Sequence, residues 1–252
     1  MRLVVHRGFM RQRRRTARLM VLTGLVGLFA SFPLTLQTQL IVLAYAVLIV
    51  GFILFNTGMQ QLAKWGRSPR PDEILDQHLR RLNDRYTLIH YPQIPGFSPE
   101  HVLVYPGGLV VLTTRQVFGG VRVENDRWRR LGRRWLALFN LAGPPLGNPT
   151  DENKRQQESL KQFLESRQLP GGDLIDGMIV FVHPQVELEV ISSDLTVVRA
   201  DELLAAVRDL GTEALLHNKQ REEIIAALSE GEEVEGPISI PSRDPNARRA
   251  EV

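Results

Sequence analysis

Cysteine is absent from this 252-residue chain, which excludes disulfides, thiolate nucleophiles and cysteine-ligated metal sites. Acidic residues are absent before Asp72, whereas Arg2, Arg7, Arg11, Arg13, Arg14, Arg15 and Arg18 crowd the N-terminus. With those seven set aside, 24 basic residues face 28 acidic ones, a balance near −4. The high isoelectric point is thus a property of one end and does not argue for a basic, nucleic-acid-coating domain. Charge of either sign is also absent from Leu19 to Gln61.

That uncharged stretch contains two apolar runs. The first extends from Leu19 to Phe32 and is broken by Pro33; the second extends from Leu40 to Phe55 and on through Met59. About 20 apolar residues cross a bilayer core, so the runs predict two transmembrane helices at about 19–36 and 40–59. Pro33, Thr35, Gln37, Thr38 and Gln39 supply the turn between them. Basic residues flank both outer ends, with Lys64, Arg67 and Arg70 following the second run. The positive-inside rule then predicts a two-span protein of the cell membrane with both termini cytoplasmic. A cleaved signal peptide shares the basic-then-apolar start, but a second span follows at once and no small-x-small cleavage site precedes it. The expected layout is a basic cytoplasmic tail at 1–18, the hairpin at 19–60, a linker at 61–70, one domain at 71–229 and a disordered tail at 230–252.

Within the expected domain, Asp72 to Leu82 has leucines at 75, 79 and 82 and acids in its first turn, which predicts an amphipathic helix. Tyr86–His90 reads as a strand. Val102, Val104 and Leu109–Leu112 read as two buried strands joined by the turn Pro106-Gly107-Gly108. Gly119-Gly120 turns into Val121–Val123, and Asn148-Pro149-Thr150 opens a helix to about Gln168. Ile175–Val182 is the strongest strand, Leu188–Ile191 and Leu195–Val198 are shorter ones, and Asp201–Leu210 and Arg221–Leu228 close as helices. This order predicts an α/β (α+β) sandwich with a mixed sheet.

Most short motifs here have plain readings. Gly107-Gly108 is followed by neither a helix start nor Lys-Ser/Thr, so it reads as a hairpin turn, not a phosphate cradle. His78, His90, His183 and His217 form no His-x-x-x-His cluster, and His101 reads as a partly buried histidine. Ser192-Ser193-Asp194 lacks the glycines of a nucleophile elbow. The stretch from Arg127 to Trp135 interleaves Arg129, Arg130, Arg133 and Arg134 with Trp128 and Trp135. It is the candidate contact for an anionic lipid surface or for nucleic acid, with a solvated loop as the plain alternative.

Glu100-His101, Pro106-Gly107-Gly108, Gly119 or Gly120, Trp128 and Asn148-Pro149, behind the Asp72/Glu73 helix with its leucines, resemble the nuclease-related domain (NERD) family. The spacing from 100 to 128 is kept without gaps. The resemblance implies a restriction-endonuclease-like fold and, in active members, a phosphodiesterase site with an acid at the helix start, an Asp-His pair and a strand ending Glu-x-Lys. Here Glu100 stands for that aspartate, Thr113-Thr114-Arg115 replaces Glu-x-Lys, and Glu152 stands where the family's glutamine follows Asn-Pro.

The departures fall on the chemistry. Two carboxylates would hold the divalent cation and the lysine would help activate water. A neutral threonine hydroxyl is a poor Mg²⁺ ligand, and arginine stays charged and cannot act as a base. The leading expectation is a bacterial-type membrane protein whose cytoplasmic domain keeps the fold, lacks catalysis and acts as a binding or scaffolding module with no cofactor and no metal. The degenerate site positions are Asp72, Glu73, Glu100, Thr113 and Arg115. The alternative is a weak Mg²⁺-dependent nuclease on DNA or RNA that uses Asp72 or Glu73, Glu100 and a displaced acid such as Glu124.

Overall fold

In the computed structural model, residues 1–66, 69–131, 146–211 and 213–230 are described. The expected tail at 230–252 lies outside them, apart from Glu230.

Two helices form the hairpin, α1 (Arg7–Thr35) and α2 (Ile41–Gly66). Both are long and apolar enough to cross a membrane. They meet along small residues: a Cβ built on Gly24 would stand 2.8 Å from the Gly51 carbonyl oxygen, so only glycine permits this approach. Leu19, Val26, Phe29 and Phe32 point outward instead. Pro33 lies inside the last turn of α1; it removes one backbone bond just before the helix stops, so the break falls after it.

The two helices are longer than the apolar runs alone suggest. The helix α1 begins at Arg7, and α2 runs to Gly66, so most of the expected 61–70 linker is helical where it is described. The start of the expected tail is not a tail. Residues Arg2–Val5 form strand β1, which pairs in parallel with β2 (Thr87–His90) and buries Leu3 and Val4. Leu3-Val4-Val5 is too short to announce itself, and its partner lies some eighty residues away.

The remaining strands are β3 (His101–Tyr105), β4 (Gly108–Arg115), β5 (Gly119–Glu124), β6 (Arg127–Arg130), β7 (Ile175–Phe181), β8 (Val186–Val190) and β9 (Thr196–Arg199). The main sheet has the order β1-β2-β3-β4-β7-β9 and mixes parallel with antiparallel pairs; a smaller sheet has the order β6-β5-β8. Pro106-Gly107 turns β3 into β4 and sets His101 opposite Leu112. Leu109 through Leu112 are fully buried because helices cover both faces of the main sheet.

One face carries α3 (Pro71–Leu79) and α5 (Leu203–Asp209), which pack Leu75, Leu79, Leu203 and Val207 on Val110 and Leu112. The other carries α4 (Pro149–Ser166) and α6 (Asn218–Ser229), which pack Leu160, Leu164, Ile224 and Leu228 on Leu109 and Val111. Alternation along β4 therefore sends 110, 112 and 114 toward α3 and 109, 111, 113 and 115 toward α4. This period decides the geometry of the site.

Candidate functional site

Pro71 starts α3 at a position where a missing N–H costs nothing, and the Glu73 carboxylate accepts from the Arg70 backbone at 3.0 Å. Glu73 is thereby an exposed cap. Asp72, by contrast, is 2% exposed; its Oδ2 pairs with Arg70 at 3.0 Å, while its Oδ1 meets no donor among the described residues. Burial pushes its carboxyl above the usual carboxylate range, against the lowering pull of His90 and Arg70.

Asp72 lies beside the buried Tyr91. Burial, helped by the charges of Asp72 and Glu100, drives the phenol well above its ordinary pKa. The Tyr91 backbone sits at φ +57°, and its amide donates to the Glu100 carbonyl at 2.7 Å. Its ring packs with Met10 and Phe9 of α1, so the first turn of the hairpin lies directly over this pocket.

Beneath it is a pair of histidines that sequence spacing does not reveal. His90 and His101 are opposite one another in β2 and β3, fully buried, with Nδ1 to Nδ1 at 2.6 Å. His90 Nε2 reaches Asp76 Oδ1 at 2.9 Å. With both rings neutral, His90 Nε2–H donates to Asp76 and His101 Nδ1–H donates to His90 Nδ1; the network, not an observed hydrogen, assigns these tautomers. The available sequence signal was that strand pairing could bring the two histidines opposite each other, but the ten-residue connection between them hid the register.

The former Glu-x-Lys positions look elsewhere. Thr113 is fully buried against α4, where its hydroxyl donates to Gln156 Oε1 at 2.9 Å and accepts from Asn153 Nδ2 at 2.9 Å. Arg115 is 12% exposed and committed to the protein: its guanidinium reaches Glu152 at 2.5 Å, the Leu146 carbonyl at 3.0 Å and the Thr114 carbonyl at 2.9 Å. Only Thr114, the middle residue, meets the acid pocket, donating to Glu100 Oε2 at 3.2 Å. Asp72 and Glu100 thus gather about Tyr91, whereas the Thr113 hydroxyl and the Arg115 guanidinium are bound on the α4 side. Thr113 and Glu100, both among the degenerate site positions, are therefore set on opposite sides of β4 by this one-residue alternation. Glu152, which stands where the family's glutamine follows Asn-Pro, is bonded to Arg115, and Gln156 is the residue at Thr113.

A Mg²⁺ ion bound as in an active nuclease would need several anionic oxygens around one point. Among the described residues, no three His, Asp or Glu side chains form such a group. Burial raises the Asp72 carboxyl above the usual carboxylate range, and the Thr113 hydroxyl is already engaged. The donor set does not fit the ion. Glu124 stands exposed at the end of β5 in the small sheet, near Arg122 at 3.9 Å.

The basic stretch divides. Arg133, Arg134 and Trp135 lie outside the described residues. Residues 127–130 are β6, hinged to β5 by Asn125 and Asp126, both at positive φ as a two-residue hairpin requires. Trp128 packs on Phe181 and donates from Nε1 to Thr150 Oγ1 at 2.9 Å, so its ring braces the sheet to the start of α4. Arg130 lies over the Phe118 ring at 5.2 Å. Arg129 lines an open groove of about 390 Å³ with Arg122, Glu124, Asn125, Arg127 and Leu131.

The mixed sheet with helices on both faces makes an α/β domain. Residues 70–182 match the family model described as nuclease-related domain, so this chain carries a NERD domain beside its two N-terminal apolar helices. No curated protein and no solved structure matches the chain.

Proposed function

We propose that this protein is a membrane-anchored NERD protein whose domain faces the cytoplasm and serves as a binding or scaffolding module without nuclease activity. The commitment of Arg115 to Glu152 carries this reading. In an active site that position needs a free ammonium beside the metal and water; here a guanidinium is held by a carboxylate and two carbonyls. The engagement of Thr113 by Gln156 and Asn153 supports it independently.

Anchoring is supported by the two apolar helices. The cytoplasmic side is supported by the seven N-terminal arginines and by β1, whose pairing with β2 puts the chain start on the same side of the hairpin as the domain. The runner-up is a Mg²⁺-dependent nuclease built on Asp72 and Glu100. Incubating the purified full chain with single- and double-stranded DNA and with RNA, plus Mg²⁺ or Mn²⁺, separates the two. The proposal expects no cleavage beyond that of the Glu100→Gln variant; metal-dependent cleavage that this variant loses would establish the nuclease.

A further inference from the structure

One face of α1 changes character abruptly. At about 100° per residue, Arg7, Arg11, Arg14, Arg15 and Arg18 fall within an arc of roughly 100°. The buried seam of the helix is Met10, Ala17, Gly24 and Ser31, spaced by sevens and turned about 110° from that arc. The arginines therefore face away from the helix packing. Above Arg18 the same face continues as Leu22, Leu25, Phe29 and Phe32, all exposed. Ion pairs of the described residues, such as Arg2–Glu222 and Arg70–Asp72, include none of Arg11, Arg14, Arg15 or Arg18; Arg11, Arg15 and Arg18 are exposed and Arg14 is half-buried.

Resting on the membrane reading above, we infer that this face is a binding strip for anionic phospholipid. Its acyl chains lie along Leu22, Leu25 and Phe29, and its phosphate sits among Arg14, Arg15 and Arg18. The dimensions agree. The rise of about 1.5 Å per residue puts Arg14 ~6 Å below Arg18, within the ~5–7 Å headgroup layer of one leaflet. Arg11 and Arg7 lie about 10 and 16 Å below Arg18, near the range over which surface charge is felt. A nucleic acid would use the arginines but leave the apolar continuation unexplained; a phospholipid uses both halves. The strip is also rigidly placed, because Val5 enters β1 and Met10 and Phe9 pack on Tyr91. Lipid held there touches the helix that covers the Asp72–Glu100 pocket.

The test uses the full chain in vesicles of phosphatidylcholine with about a third phosphatidylglycerol, mild detergent extraction and analysis of the lipid retained. One arginine at an anionic surface confers a preference of about five-fold, so the ratio of phosphatidylglycerol to phosphatidylcholine retained by wild type should be at least about five times the bulk ratio. The triple variant Arg14→Gln, Arg15→Gln, Arg18→Gln should lose that enrichment, and the corresponding triple lysine variant should keep most of it. Carbonate washing before extraction reports insertion. Wild type that resists the wash yet shows no enrichment, or a glutamine variant that keeps it, overturns the lipid strip and leaves the anchor standing. Release of wild type by carbonate overturns both.

Discussion

The hydroxyl of Thr113 donates to Oε1 of Gln156 at 2.9 Å, tying the end of β4 to the middle of α4. One residue further on, Thr114 reaches Glu100 on the opposite side of the strand. A motif that alternates along a strand can deliver only one parity of positions to a given face. In this chain the Thr113 and Arg115 side chains have become internal bonds of the scaffold.

The Thr113–Gln156 bond is fully buried, so each single change leaves an orphaned polar group. Thr113→Val and Gln156→Leu should each destabilise the protein by about 1–3 kcal/mol. The double variant should cost less than their sum, with a coupling of roughly 0.5–3 kcal/mol. Denaturant titration of the four proteins gives the cycle; strict additivity would mean that the two side chains do not meet.

Asp72 makes a prediction about pH. Its folded-state pKa lies above the ordinary value of 3.8, chiefly through burial, so the folded protein binds this proton more tightly than the unfolded chain. Stability from this group is greatest below pH 3.8, falls as pH rises through the folded pKa and stays reduced above it. Asp72→Asn keeps the shape and removes the charge. Relative to wild type it should gain stability at pH 7, and the gain should shrink as pH is lowered toward 4. A variant that loses stability most at pH 7 would show that the ionised carboxylate is held favourably by Arg70.

Much of this architecture was legible from local pattern. Pro106-Gly107-Gly108 between two apolar runs specified a hairpin, and Asn148-Pro149 announced α4, whose Asn148 side chain accepts from Asp151 N. What stayed hidden depends on pairing at a distance. The strand β1 needs β2 to be a strand at all, and Arg127–Arg130 reads as a basic contact segment with no sign of a strand because charge masks alternation; its inward Trp128 is the clue. The His90–His101 contact and the separation of Thr113 from Thr114 require a register, which composition does not carry. The groove residue Arg122 escaped notice for the same reason, since cross-strand neighbours are remote from any linear motif.

Strand β1 implies that the domain is incomplete without the residues preceding the hairpin. Deleting residues 2–5 strips β2 of its parallel partner, exposes a sheet edge and removes the buried Leu3 and Val4. Losing two such aliphatic side chains corresponds to about 3–6 kcal/mol of burial. The deletion variant should melt far below wild type or elute as aggregates in size-exclusion chromatography. An unchanged melting temperature would contradict the docking of β1.

The same strand bears on the proposed topology. Reporters fused before residue 1 and after residue 252 should both signal from the cytoplasm, since β1 and the domain share one side of the hairpin. A reporter signal from opposite sides would break the β1–β2 pairing as well as the two-span arrangement.

Titrating the purified full chain with Mg²⁺ and Mn²⁺ in a calorimeter tests the loss of the metal site most directly. With Thr113 turned to Gln156, Arg115 bound to Glu152 and Asp72 buried and paired with Arg70, no saturable heat should appear at about millimolar cation. Saturable binding that both Asp72→Asn and Glu100→Gln abolish would contradict this and return the domain to the metal-dependent nucleases.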